Sequence, residues 1–191
     1  TFGGQVEMTA STHPSGTDRC AEVAARHPEF ECVVNVQGDE PFIQSEQIAC
    51  VVRPLIADAS CTIVTLAKKI VQAEQLFNPN IVKVVFGQQP QQQALYFSRQ
   101  AIPFLRDKIQ TTWWTHQTFY KHLGLYAFRQ TTLLELTKLQ ESPLETAERL
   151  EQLRWLEHGH RIQIALTDLE TQGIDTPEDL KRVKLYYNIP D

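Results

Sequence analysis

An apolar run, Val33-Val34-Asn35-Val36, stops in Gln37-Gly38-Asp39-Glu40-Pro41 and so places two adjacent carboxylates in a polar turn. Three Val in four residues suit a strand covered on both faces, and Gly38 lets the backbone bend or approach a ligand just before Asp39. At the carboxyl end of a strand in an open α/β sheet, an ionised Asp can hold Mg²⁺ through its oxygens while substrate phosphates and water complete the shell. Acidic residues and Pro also form ordinary turns, so this stretch alone is better read as a plain strand and turn. A second carboxylate, Asp175, immediately precedes Thr176-Pro177, a pair that caps and opens a helix. The positive helix end favours its ionised form, which makes it a candidate second metal carboxylate.

Other residues could meet anions and hydroxyls. Thr12-His13-Pro14-Ser15-Gly16-Thr17-Asp18-Arg19 leads into a helix over 18–26 with Thr17 as N-cap. Its hydroxyls and backbone N–H groups suit an anion or a base edge, and capping alone explains the same residue types. Arg99 and Arg106 bracket Ile102-Pro103-Phe104-Leu105; their planar forks suit carboxylate or phosphate, or simply solvent. His122 and Tyr126 share one face of a predicted strand, where they could line a sugar pocket or sit as hydrogen-bonded core residues. On a predicted helix over 142–158, Leu150, Leu153 and Leu156 gather on one side and Glu148, Glu151, Gln152 and Trp155 on the other. Two carboxylates, an amide and an indole suit hydroxyl recognition; a solvated face looks much the same except for Trp155.

The intervening pattern alternates short apolar strands with amphipathic helices. Strands are predicted at 5–8, 33–36, 62–67, 81–86, 94–98, 122–128 and 162–166. Helices are predicted from Ser45, with Pro54 kinking or ending the run, and over 72–76, 131–139 and from Thr176 onward, the last with Leu180, Val183 and Tyr187 on its apolar face. Ser142-Pro143-Leu144-Glu145 carries a capping box with Pro at the first helical position, and Gly159 suits the C-cap. Trp113, Trp114, Phe119 and Tyr120 form an aromatic cluster without helical spacing, as at a subunit interface or in a satellite core under a long loop.

A chain of 191 residues suits a single domain. With 18 Lys plus Arg against 23 Asp plus Glu, it is mildly acidic, which argues against a broad nucleic-acid surface. Cys20, Cys32, Cys50 and Cys61 show no C-x-x-C spacing and read as buried free thiols in a reducing compartment. No run approaches the ~20 apolar residues of a membrane span, so the protein is expected in the cytoplasm.

In order along the chain, His13-Pro14-Ser15-Gly16-Thr17-Asp18-Arg19, Val34-Asn35-Val36-Gln37-Gly38-Asp39-Glu40-Pro41, Phe77-Asn78-Pro79-Asn80, Ala94-Leu95-Tyr96-Phe97-Ser98-Arg99, His122-Leu123-Gly124-Leu125-Tyr126, Leu150-Glu151-Gln152-Leu153-Arg154 and Gly173-Ile174-Asp175-Thr176-Pro177-Glu178-Asp179 resemble the CMP-Kdo synthetases, the 3-deoxy-manno-octulosonate cytidylyltransferases. The resemblance implies an α/β, Rossmann-like nucleotidyltransferase fold with a mixed, mainly parallel central sheet flanked by helices. It implies a single nucleotidyltransferase domain over 1–191 and a homodimer built partly around the dimerisation and sugar-binding subregion at about 94–128. The implied reaction is Mg²⁺-dependent transfer of CMP from CTP to Kdo, releasing pyrophosphate, for lipopolysaccharide synthesis. By the same resemblance, Asp39 and Asp175 hold the metal, Ser15, Gly16, Thr17, Arg19 and Gln37 contact the cytidine nucleotide, Arg99 clamps the Kdo carboxylate, and His122, Tyr126, Glu151 and Gln152 read its hydroxyls.

One departure qualifies that implication. The family's first strand and its loop of type P-A-R-x-x-S-x-R-L-P-G-K, whose Arg and Lys bind the triphosphate, have no counterpart in this stretch, which is therefore expected to be inactive and poorly folded by itself. Two alternatives stand beside the Kdo enzyme: a cytidylyltransferase for another acid sugar such as a sialic acid, and a non-catalytic nucleotide-binding or dimerisation module.

Overall fold

The structure is a computed structural model that describes residues 3–88, 92–170, 174 and 176–187. Its elements run α1 (Gly16–Arg26), β1 (Cys32–Asn35), α2 (Ser45–Ala57), β2 (Ile63–Lys69), α3 (Ala73–Phe77), β3 (Lys83–Phe86), β4 (Ala94–Ser98), α4 (Trp113–His116), β5 (Tyr120–Arg129), α5 (Gln130–Leu136), α6 (Pro143–Glu148), α7 (Glu151–Glu157), β6 (Gln163–Leu166) and α8 (Pro177–Tyr187).

The ten-residue β5 is the axis of the sheet. It runs antiparallel to β2 from Ile63↔Phe128 to Lys69↔Tyr120. Its other edge is shared: β1 pairs with its C-terminal half, Cys32↔Arg129 to Asn35↔Tyr126, and β3 meets its start at Lys83↔Lys121. β4 lies antiparallel to β3, and β6 lies parallel to β2. The sheet is thus mixed, as expected, but its described pairings are mainly antiparallel, with β2–β6 the parallel one. Strand periodicity carries no information on chain direction, and the expected predominance of parallel pairs fails because one long antiparallel strand sits at the centre. Between Thr65 and Leu66 the partner on β5 jumps from Tyr126 to Leu123, a bulge that turns Gly124 and Leu125 out of the regular ladder.

Strand alternation splits the core into two layers. Ile63, Ala67, Tyr126 and Phe128 face Ala21 and Ala24 of α1, Leu133 and Leu136 of α5, and Leu153 and Trp155 of α7. Val64, Leu66, Leu125 and Ala127 face Val51 and Leu55 of α2. Side chains buried to this degree contribute about 1.5–3 kcal/mol each in area terms. The aromatic cluster resolves into a satellite core: Trp113 and Phe119 are buried with Ile70 and Leu76, whereas Trp114 is 44% exposed.

Several predicted boundaries shift. Residues 5–8 form no strand ladder. α1 is capped by Ser15, whose hydroxyl accepts from Asp18 N–H, so the cap lies two residues before Thr17. α2 carries Pro54 within its last turn and continues to Ala57, since a missing N–H there forfeits one carbonyl bond without stopping the turn. The single helix expected over 142–158 is two helices, broken where Arg149 takes left-handed φ 55° and ψ 49°. No helix among the described residues is long and apolar enough to cross a membrane.

Candidate active site

The turn after β1 projects Asp39 into solvent, where its carboxylate makes no hydrogen bond or ion pair among the described residues. Its carbonyl accepts from Ile174 N–H at 2.8 Å. That bond brings the chain beside Asp175 onto the Asp39 turn, although Asp175 itself lies outside the described residues, as do Gln172 and Gly173. Upstream, Glu170 is held by buried Lys121 and by Lys68 at 3.3 Å. Burial pushes the Glu170 carboxyl up, but those two ammonium groups outweigh it and leave the group below its ordinary range. A cleft lined by Val36, Gln37, Glu40, Leu123 and Gly124 opens between this turn and the bulge of β5.

The start of α1 meets the start of α7. Thr17, buried, donates to Glu151 Oε2 at 2.7 Å, and Ser15 reaches Glu151 Oε1 at 3.2 Å and Asp18 Oδ2 at 2.5 Å. Burial raises the Glu151 carboxyl, and the Thr17, Arg154 and Ser15 contacts only partly offset it. Gly16 lies against Gln37: a Cβ there would meet Gln37 Oε1 at 3.2 Å. Gln37 in turn donates to Asn35 Oδ1 at 3.2 Å. Arg19 is exposed and donates to Thr9 Oγ1 at 2.8 Å and to the Ala10 carbonyl.

Beneath these residues β5 presents His122 and Tyr126 together, ring centroids 5.4 Å apart, as their spacing predicts. The His122 ring packs edge-on to Phe97, and desolvation pushes its imidazole down to about 3, so it is neutral although part of its surface meets solvent. Its Nε2 lies 2.9 Å from Thr65 Oγ1, and the Thr65 hydroxyl is also 2.9 Å from the Leu125 carbonyl. A hydroxyl has one proton; if Leu125 takes it, the hydrogen-bond network assigns the His122 proton to Nε2 and leaves Nδ1 an acceptor. Tyr126 stands edge-on to Trp155 of α7 at 5.1 Å. Its hydroxyl, beside Thr65, makes no bond of good geometry, and burial raises its pKa well above the usual phenol value. Asn35 Nδ2 and Gln152 Nε2 are likewise buried without partners among the described residues. Tyr126 is the register partner of Asn35 and feels the charge of Glu151 next to Gln152, so these groups surround one region.

Arg99 occupies the flank. Its Nε donates to the Glu148 carbonyl at 2.7 Å, NH1 to Pro79 and NH2 to Arg149. Among the described residues, main-chain carbonyls thus engage three of the five guanidinium N–H donors and leave two for a ligand. Glu148, grouped by helical spacing with Glu151, turns away from it to accept from Ser98 Oγ at 2.6 Å and Arg99 N–H at 2.9 Å. Trp155, on the same predicted polar stripe, is 1% exposed in the core. The left-handed turn at Arg149, costing about 1–2 kcal/mol for a non-Gly residue, separates the two helices and redirects each face. Arg106 is exposed, with Asp107 beside it.

Residues 1–162 match the family described as Cytidylyltransferase. A 3-deoxy-manno-octulosonate cytidylyltransferase of Parabacteroides distasonis is 50% identical over 186 residues, covering 95% of this chain and 73% of that protein. The chain belongs to the 3-deoxy-manno-octulosonate cytidylyltransferase family. A cytidylyltransferase of the same description from Cytophaga hutchinsonii is 51% identical over 184 residues, covering 95% of this chain and 72% of its own. A solved structure of CMP:2-keto-3-deoxy-manno-octonic acid synthetase complexed with CTP superposes with a TM-score of 0.88 at 36% identity, covering 98% of this chain and 73% of that one. Within this cytidylyltransferase, sequence reasoning singled out neither Thr65 nor Lys83 as site residues. Thr65 had a signal, a hydroxyl inside the apolar run Ile63-Val64-Thr65-Leu66-Ala67. Lys83 had none: its Nζ reaches the carbonyls of Asn78 (2.9 Å), Ile81 and Arg99, acceptors that no side-chain pattern announces.

Proposed function

We propose that the protein transfers CMP from CTP to 3-deoxy-manno-octulosonate, giving CMP-Kdo and pyrophosphate. The observation that carries the sugar side is that three buried polar atoms, Asn35 Nδ2, Tyr126 Oη and Gln152 Nε2, have no hydrogen-bond partner among the described residues, with Asn35 the register partner of Tyr126 and Gln152 next to Glu151 in the chain. Each such atom costs about 1–3 kcal/mol unless something bonds it, and a polyhydroxylated ligand would do so. The names of the relatives and the CTP in the similar solved structure supply the nucleotide and the acid sugar.

The exposed Asp39 carboxylate, a hard oxygen donor without a protein partner among the described residues, fits Mg²⁺, which commonly takes one or two carboxylates together with phosphate oxygens. Asp39, with Asp175 as second ligand, would hold the ion, which when bound neutralises charge on the phosphoryl oxygens and eases ionisation of the attacking hydroxyl. The chain's own residues do the positioning. Ser15, Gly16, Thr17, Arg19 and Gln37 line the cytidine side, while Glu151 and His122 Nδ1 accept from sugar hydroxyls. Gln152 donates to them, and the two free N–H groups of Arg99 take the sugar carboxylate. The sugar hydroxyl oxygen bonds to the α-phosphorus as the bond to pyrophosphate breaks, a reaction in which orientation supplies much of the rate.

A homodimer belongs to the same proposal. Phe104 at 75% and Ile109 at 74% exposure lie with Trp114 beside the Trp113–Phe119 satellite core, within the 94–128 subregion, and a second copy would cover them. The enzyme acts in the cytoplasm, in keeping with four unpaired thiols. Incubating the intact protein with CTP, Kdo and Mg²⁺ and following phosphorus resonances tests the reaction: a CMP-sugar phosphodiester should appear with equimolar pyrophosphate. Unchanged CTP under conditions where a relative turns over would refute it.

A further inference from the structure

Glu148 is the residue that spacing grouped with the sugar readers and that geometry takes away from them. Its carboxylate accepts from Ser98 Oγ (2.6 Å) and from Arg99 N–H (2.9 Å), and its carbonyl accepts from Arg99 Nε (2.7 Å). The Arg149 carbonyl accepts from Arg99 NH2 at 3.4 Å. These contacts tie the end of β4 to the junction between α6 and α7. That junction carries Arg149 in the left-handed region, and Glu151 and Gln152 follow within the next three residues. The β4 end is itself fixed: Lys83 is fully buried and bonds the Arg99 carbonyl together with the carbonyls of Asn78 and Ile81. Burial lowers the Lys83 ammonium to about 8, but three carbonyl acceptors match its three N–H donors.

We propose that Glu148 is a positioning residue for the sugar-binding half of the site: clasped by Ser98 and Arg99, it holds the α6–α7 junction so that Glu151 and Gln152 face the ligand. A helix former such as Arg adopts the left-handed conformation only where its surroundings impose it. The clasp supplies that imposition from a strand some fifty residues away, as the 49-residue separation of Arg99 and Glu148 shows. Beside the clasp, the Arg154 fork onto Glu145 also spans the junction, but within Glu148-Arg149-Leu150-Glu151 no residue by itself opposes one continuous helix. A continuous helix would rotate Glu151 away from Thr17 and Gln152 away from Tyr126.

This inference rests on the Kdo reading for its substrate, and its test separates the two. In the intact protein, Glu148→Ala should raise KM for Kdo about tenfold or more and KM for CTP much less, because Glu151 and Gln152 are the residues displaced, whereas Ser15 and Thr17 lose their bonds to Glu151 but stay held at the start of α1. Glu148→Gln keeps an oxygen for the Arg99 N–H and should restore most of the loss; Ser98→Ala should give a milder version of the same split. Amide hydrogen exchange at 150–153 should slow in Glu148→Ala relative to the β2 and β5 amides, because a continuous helix gives these N–H groups carbonyl partners four residues back. Parallel rises in both KM values, no rescue by Gln, or unchanged exchange at 150–153 would overturn the proposal. If the wild-type protein fails to use Kdo, the substrate reading falls and the exchange comparison still decides the clasp.

Discussion

Replacing Glu151 by Gln separates charge from shape at the join between the two halves of the site. Both carboxylate oxygens are taken by hydroxyls, Thr17 at 2.7 Å and Ser15 at 3.2 Å. Hydrogen bonds to a charged group contribute about 1.5–3 kcal/mol and neutral ones about 0.5–1.5, so Gln weakens these contacts by about 1–1.5 kcal/mol each while removing a buried charge. Near neutral pH the two effects nearly cancel, and the variant should unfold within about 1 kcal/mol of wild type. The pH dependence fixes the sign. Burial raises the Glu151 carboxyl on folding, so its favourable contribution is complete below the unfolded value and fades as pH rises through the folded value. Gln has no such titration; the stability of wild type relative to Glu151→Gln should therefore fall between acid and neutral pH, as urea denaturation at several pH values would show. The kinetic consequence is larger. Loss of a charged acceptor for sugar hydroxyls should raise KM for Kdo by roughly 10- to 100-fold. A relative stability that rises with pH, or an unchanged KM for Kdo, would refute the assignment of Glu151 as a buried, sugar-facing carboxylate.

Further expectations follow from other parts of the structure. Arg154 forks onto Glu145 through Nε at 2.7 Å and NH2 at 2.6 Å, with side-chain exposures of 17% and 10%, so Arg154→Met should strand a buried carboxylate and lower stability by about 3–5 kcal/mol in chemical denaturation. Asp39 is exposed and its carboxylate makes no contact among the described residues; Asp39→Asn should leave the melting temperature unchanged and lower kcat on the order of 100-fold, with unchanged kinetics refuting the proposed metal role. If the proposed homodimer forms through the exposed apolar face, Phe104→Glu should shift the sedimentation profile from dimer toward monomer, and a wild-type profile that is monomeric or a variant profile indistinguishable from it would refute that contact.

Much of the strand framework was legible because alternation and β-branching leave a local imprint. β4 falls on the predicted residues, and His122 and Tyr126 share a face as predicted. What sequence could not show depends on partners distant along the chain. Nothing in the apolar periodicity over 142–158 signals a break at Arg149; the break arises where Ser98 and Arg99 bind Glu148. From its residue type Arg99 could be a surface or an anion-binding Arg, and the resemblance implied a carboxylate clamp; neither reading foretold that three of its donors end on carbonyls, acceptors that every residue carries and no composition betrays. The dominance of antiparallel pairing was also hidden, since a strand reads the same in either direction and only the central position of β5 settles it. The motifs that carried the family resemblance were informative for the opposite reason: they mark where loops leave strands and helices begin, and those ends converge on the Asp39, Glu151 and His122 regions.

The most direct test of the central claim is the ratio of kcat/KM for Kdo to that for N-acetylneuraminate, with CTP and Mg²⁺, measured by pyrophosphate release from the intact protein. Arg99, His122, Tyr126, Glu151 and Gln152 acting together on Kdo predict a ratio well above one. Turnover of N-acetylneuraminate with none for Kdo would contradict it.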